Sequence, residues 1–376
     1  MNSENTDMNN RRTARVLTVA CGLLFVAFSL VYLAIFQKDL MEAYHFTLAH
    51  GKTVYSVWTN ALLITIVMLV LRWAVNGLVR LKGAFYALSY FPSCMLLGVL
   101  TDVSHGLYHG ESVEVRWTWL LPILLFGLTR ILSWCDLRMS QRATINTNLL
   151  VLLLLCLMTI YIGNTNIHFH HELSVEKALR EQDYAKARLI GEKTMNPSRN
   201  LTALRAYAMS REGTMGEYLF HYPQLYGAEG LLIESSNKKT LRLNADSLYV
   251  YLGARPLAGE SSLAFFDRIC HEESGNYTTL DYYLSALLLE KKLDRFALEF
   301  GRLYTIQEEV PLYYAEALYM YGKMHPDASL ETEDETMDER WKAYQQRKSE
   351  LAGAVGEGNL MRREYGDTYW WYYEYR

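Results

Sequence analysis

The feature that most limits this chain is "VLTVACGLLFVAFSLVYLAIF", Val16 to Phe36, 21 residues without a charged side chain. At about 1.5 Å per residue, a helix of that length crosses a bilayer core of about 30 Å. Arg11, Arg12 and Arg15 stand just before it. A secretory signal carries an apolar stretch of only about 7–15 residues closed by a cleavage site, and this run continues past that length. "TVAC", ending at Cys21, loosely resembles a lipoprotein cleavage box. Too few apolar residues precede it, so a retained span is the better reading.

Four more apolar stretches follow, at Val54–Leu71, Ala84–Leu100, Trp117–Trp134 and Asn148–Ile162. Each is close to the ~17–25 residues that a spanning helix needs. The basic residues sort by side. Arg11, Arg12 and Arg15, then Arg72, Arg80 and Lys82, then Arg130, Arg138 and Arg142 fall on one side; Lys38, Lys52 and Arg116 fall on the other. The excess of Lys and Arg marks the cytoplasmic face. The N-terminus is therefore expected in the cytoplasm, and five spans place the rest of the chain outside. In a Gram-negative cell that is the periplasm, with the spans in the inner membrane against lipid. The central parts of these five stretches hold no Asp, Glu, Lys or Arg. Ion-coupled transport needs an ionisable group near the midplane, so a transporter ranks third among the functions considered. Arg72 and Asp102 read as interfacial residues at span ends.

The mean hydropathy of −0.04 averages two unlike halves. Long apolar runs stop at Gly163, and charged, tyrosine-rich sequence follows. The expected organisation is a cytoplasmic tail over residues 1–15, a transmembrane domain over 16–163 and a periplasmic domain over 164–376. In the last of these, apolar residues recur at i, i+3, i+4 and i+7: Leu280, Tyr283, Leu284 and Leu287, then Phe296, Phe300, Leu303 and Tyr304. That period belongs to amphipathic helices. Asp183 and Thr278 are candidate N-caps. "SLYVYLG", Ser247 to Gly253, is the one stretch that also suits a strand.

Two segments share an outline. "DYAKARLIGEKTMNPSRNLTALRAYAMSREG" (Asp183–Gly213) and "DRFALEFGRLYTIQEEVPLYYAEALYMYG" (Asp294–Gly322) each open at Asp, pass a Pro between two helical patterns and close at Gly. Repeated helix pairs point to a stacked array in which each pair buries its apolar face on the next. The expected fold class is all-α: a multi-pass transmembrane half of about five spans, then a soluble helical-repeat domain of tetratricopeptide-like type.

"VPLYYAEALYMY" (Val310–Tyr321) and the terminal "DTYWWYYEYR" (Asp367–Arg376), behind a multi-span N-terminus, resemble an uncharacterised family of Bacteroidetes membrane proteins. The resemblance implies several spans joined to a helical-repeat C-terminal half. It implies no activity and no functional residues.

What chemistry is legible? The net charge is −4, and no basic cluster is interleaved with aromatics, so nucleic acid is not an expected partner. Cys21, Cys94, Cys135 and Cys156 lie in or beside apolar stretches and Cys270 stands alone, without a Cys-x-x-Cys pair. There is no Gly-x-Ser-x-Gly, no His-Glu-x-x-His and no phosphate-binding glycine loop. No catalytic residue is nominated. One constellation suggests zinc: His105 and His109 at helical i, i+4 spacing, and His168, His170, His171 and Glu172 in "IHFHHE", all on the outer side of the expected topology. Together they would supply the three or four ligands that zinc takes. The bland alternative is that amphipathic histidines mark the membrane boundary. "YWWYYEY" reads as a packing element, with lipid or sugar stacking as its alternative.

The leading function is a non-enzymatic envelope scaffold that meets other envelope proteins through the helical domain. Tyr313, Tyr314, Tyr319 and Tyr321 are nominated for its contact surface. A metal-dependent envelope enzyme built on the outer histidines is second.

Overall fold

The computed structural model describes residues 2–108, 139–233, 245–272, 277–304, 310–326 and 335–376, with single positions 124, 127 and 131. Among the described residues the chain is all-helical, with 17 α-helices and no strand. It divides into two compact units, one ending at Ile167 and the other beginning at His168.

The first unit contains α1 (Asn2–Val31), α2 (Lys38–Leu48), α3 (Val57–Val79), α4 (Phe91–Tyr108) and α5 (Gln141–Ile162). A π-helical turn, Tyr32–Phe36, extends α1, and a 3-10 helix, Gly83–Tyr90, leads into α4. Among the described residues, four helical stretches are long and apolar enough to cross a membrane: Ala14–Phe36, Val57–Val79, Gly83–Asp102 and Gln141–Ile162. The expected span at Trp117–Trp134 lies almost wholly outside the described residues.

The outer surface of this unit is unlike that of a water-soluble bundle. Large apolar side chains point outward, among them Leu23, Leu63, Trp73, Leu78, Leu150 and Leu154. The interior mixes large side chains such as Phe25, Met68, Tyr90 and Leu97 with small and polar ones: Ser29, Thr65, Ser89, Ser93, Thr101, Asn148 and Thr159 are all buried, beside Cys21, Ala61, Ala87 and Cys94. These hydroxyls and amides tie helices together. Thr159 Oγ1 donates to Cys94 O at 3.0 Å, Ser93 Oγ to Met68 O at 2.8 Å and Asn148 Nδ2 to Gly83 O at 2.9 Å. Tyr32 and Thr101 pair through their hydroxyls at 2.9 Å. Small residues and interhelical hydrogen bonds hold helices together where lipid removes the hydrophobic drive.

The second unit holds α6 (Ile167–Arg180), α7 (Tyr184–Leu189), α8 (Arg199–Glu212), α9 (Met215–Tyr218), α10 (Ala245–Leu252), α11 (Ser262–His271), α12 (Tyr277–Leu289), α13 (Leu293–Leu303), α14 (Leu312–Met324), α15 (Glu335–Leu351), α16 (Glu357–Tyr365) and α17 (Tyr369–Tyr375). The two similar segments fold as the pairs α7–α8 and α13–α14, and the members of each pair pack together. Local chemistry sets the starts. Asp183 accepts the Lys186 amide at 3.1 Å, Ser198 accepts that of Leu201 at 3.1 Å and Ser261 accepts that of Ala264 at 3.3 Å, each satisfying an orphan first-turn donor. Thr278, expected as a cap, lies instead within the first turn of α12. "SLYVYLG" is helical over Ser247–Leu252, where Leu248 and Leu252 share the buried side.

The core of this unit is aromatic, and its last helix completes it. Tyr282, Tyr283, Tyr314, Tyr344, Phe265, Phe266 and Phe296 are fully buried, and so are Tyr369 and Trp370 of α17. Trp370 Nε1 donates to Glu316 O at 2.8 Å, and Tyr372 Oη donates to Leu289 O at 2.8 Å. Trp370 meets Trp341 edge-on at 5.0 Å. "YWWYYEY" is thus a core helix; its rings pack on α14, α15 and the end of α12.

Candidate functional site

His168, His170, His171 and Glu172 all lie on α6; His168, His171 and Glu172 share one face at i, i+3 and i+4, and His170 falls on another side. Glu172 is buried, and one of its oxygens accepts from Ser198 Oγ, the cap of α8, at 2.5 Å. Burial raises its carboxyl above the ordinary range, opposed by the hydrogen bonds of Ser198 and Asn200. His171 Nδ1 lies 3.4 Å from Thr194 Oγ1. Gly191 (φ +68°) marks how tight this corner is: a Cβ there would stand 2.8 Å from His171 Nδ1 and 3.2 Å from Arg205 Nη2. A guanidinium beside the imidazole opposes a metal cation at the same spot. Among the described residues no three His, Cys, Asp or Glu side chains gather to hold one ion. The side chains of His105 and His109 are outside the described set.

Of the tyrosines nominated for a contact surface, Tyr313, Tyr314 and Tyr319 are buried at 2%, 1% and 3% exposure. That corrects the expectation. In "LYYAEALYMY" both sides of α14 are covered, so tyrosines at successive positions all reach the interior. Tyr314 Oη donates to Asp281 Oδ1 at 3.1 Å, and Tyr319 Oη donates to Asp338. Only Tyr321 keeps partial exposure.

Sequence reasoning missed two sites. The first is Arg72. The α3 helix continues to Val79, so Arg72 lies inside a candidate span, not at its end. Its guanidinium faces the rings of Tyr86 and Tyr90 at 4.8 Å each, and Nε donates to Ser89 Oγ at 3.1 Å. Two aromatic faces and a hydroxyl offset the cost of a charge at that depth. The i+14 and i+18 spacing of the two tyrosines gives no local signal of this cage.

The second is a charged network on α11 and α13. His271 Nδ1 lies 3.2 Å from Asp267 and its Nε2 lies 3.4 Å from Glu299, while Arg295 reaches Asp267 at 2.8 Å. A histidine held by two carboxylates resembles a catalytic pair. The nearest thiol, Cys270, is pushed up to about 11, by burial first and then by Glu299 and Asp267, so it stays protonated near neutral pH. A protonated thiol is a poor nucleophile. The network fastens α11 to α13.

A model described as a family of unknown function (DUF6057) matches residues 9–265 and 260–376, and the chain belongs to that family. No curated protein and no solved structure matches it.

Proposed function

We propose that this protein is a multi-pass inner-membrane protein that holds a helical-repeat, tetratricopeptide-like binding unit on the periplasmic side, as a non-enzymatic scaffold for envelope proteins. The observation that carries the reading is the apolar outer surface of the first unit. Leucines and tryptophans face outward along its candidate spans, while buried hydroxyls and amides bond from helix to helix, a distribution that suits lipid and not water. The helix pairs α7–α8 and α13–α14 support the repeat reading, and their aromatic core gives a stiff body on which a partner segment could dock. Buried carboxylates support a binding role over a catalytic one. Glu316 takes the Tyr369 amide at 2.7 Å, Asp281 takes the Tyr314 hydroxyl and Glu172 takes that of Ser198, so each is used to hold helices together.

Two experiments test this. In the first, alkaline phosphatase fused after Arg376 should be active and a fluorescent protein fused there should stay dark; the reverse pattern would place the helical unit in the cytoplasm. In the second, a chain truncated after Gly163 should lose the envelope proteins that co-purify with the full chain. Retention of the same partners would overturn the scaffold role.

A further inference from the structure

Two clefts in the helical unit share a wall near the C-terminus. One, of about 380 Å³, is lined by Glu192, His221, Asn359, Arg362 and Arg363 among others. The other, of about 220 Å³, is lined by Gly358, Asn359, Arg362, Trp371, Tyr375 and Arg376 among others. Asn359 and Arg362 belong to both. The larger cleft is within the size range of small-molecule sites.

Several arginines of this unit are answered by carboxylates, while Arg205 and Arg211 meet a carbonyl and a hydroxyl instead. Arg188 pairs with Glu212 at 3.3 Å, Arg268 with Glu260 at 2.9 Å and Arg347 with Glu364 at 2.8 Å. Among the described residues no acidic side chain pairs with Arg362, Arg363 or Arg376. The one acidic side chain lining either cleft, Glu192, is turned to His221 at 3.8 Å. Neighbouring acids are engaged: Glu357 accepts the Tyr375 hydroxyl at 2.5 Å, and Glu364 is held by Arg347.

Arg362 is also pre-set. Its guanidinium lies 5.4 Å from the ring centre of Trp371, whose Nε1 is fixed by a 2.9 Å bond to Gly358 O. Burial, and then the like charge of Arg376, disfavour its charged form. A helix C-terminus carries a partial negative charge, and Arg362 and Arg363 lie in the last turn of α16. That partial charge does not offset three full ones crowded on joined clefts.

We propose that the joined clefts bind a small organic anion with at least two acidic groups, carboxylate or phosphate. Arg362 meets one group at the shared wall, with Arg363 and His221 on one side and Arg376 on the other. Guanidinium forks match both acid types, and a stacked guanidinium is already oriented for them. This inference rests on the helical unit being a binding module. Its test is separable, because partner co-purification and anion binding are read independently.

The test is calorimetry and ligand-induced thermal stabilisation of the full chain in detergent at low salt, with pyrophosphate, citrate and acetate as probes. Pyrophosphate or citrate should bind and acetate should bind far more weakly, with affinity falling as salt rises. Tighter pyrophosphate assigns a phosphate ligand, and tighter citrate a carboxylate one. Arg362→Gln should weaken binding by about tenfold or more, as loss of one charged hydrogen-bonding group does. Because Arg362 also packs on Trp371, the pair Arg363→Gln and Arg376→Gln, both exposed, is the second variant. It should weaken binding similarly while leaving the ligand-free melting temperature unchanged. No binding by any polyanion at millimolar concentration, or wild-type affinity in both variants, would overturn the proposal.

Discussion

Glu316 is one of the most consequential single residues in the helical unit. It is fully buried, takes the Tyr369 amide and has Arg340 at 3.3 Å, yet burial still pushes its carboxyl up to about 7. The folded state therefore keeps a proton that the unfolded chain releases near pH 4.5. Stability from this group is complete below about pH 4.5 and declines as pH rises through about 7, by roughly 3 kcal/mol. Asp281, raised to about 6 by burial, acts in the same direction. Thermal melts of the wild type from pH 4.5 to 8 should slope downward, and Glu316→Gln should flatten that slope; an unchanged slope would remove Glu316 as its source. In the other unit, a Cβ on Gly163 would overlap the Tyr32 hydroxyl and press on Thr101 Oγ1 at 2.5 Å. Gly163→Ala should cost about 1–3 kcal/mol in detergent unfolding, as overpacking does. A neutral result would mean that the Tyr32–Thr101 pair moves aside freely.

At the scale of elements, the seven-residue α17 is the piece on which the aromatic core depends. Thr368 caps it, accepting the Trp371 amide at 3.1 Å, and Tyr369, Trp370, Trp371 and Tyr372 are all buried. Trp370→Ala should destabilise the helical unit by about 3–5 kcal/mol through loss of packing and of its bond to Glu316 O. Denaturant midpoints would read this directly, and a loss under 1 kcal/mol would mean that α17 is peripheral. The Arg72 cage makes a parallel case in the membrane unit. Arg72→Lys keeps the charge but loses the planar stacking between Tyr86 and Tyr90 and the geometry toward Ser89. Its melting temperature in detergent should fall below that of the wild type; equality would make the cage incidental. Most elements were legible in the sequence. The runs around Val16–Phe36 and Asn148–Ile162 and the Asp183 cap can each be read within one or two turns of chain. The interior side of α14 was not legible, because large apolar residues of "LYYAEALYMY" fall on every side and its one charged residue, Glu316, is itself buried. Which tyrosines stay exposed there depends on α13, α15 and α17 covering it.

For the whole molecule, the candidate spans found among the described residues all belong to the first unit, so the proposed anchoring is assigned to it. A chain ending at Ile167 should remain in the membrane fraction after alkaline extraction, and release into the supernatant would contradict the reading of its spans. The sequence by itself determined that the chain is helical, that its first half suits lipid and that its second half suits water. Those properties are additive over short windows: the length of an apolar run, a 3.6-residue period, a capping side chain. The tertiary structure decided what individual polar and aromatic residues do. Arg72 meets Tyr86 and Tyr90, Glu316 meets Tyr369, Glu172 meets Ser198 and Arg362 meets Trp371 only through folding. Burial and charge pairing are set by which distant segments come together, and no local window contains that information.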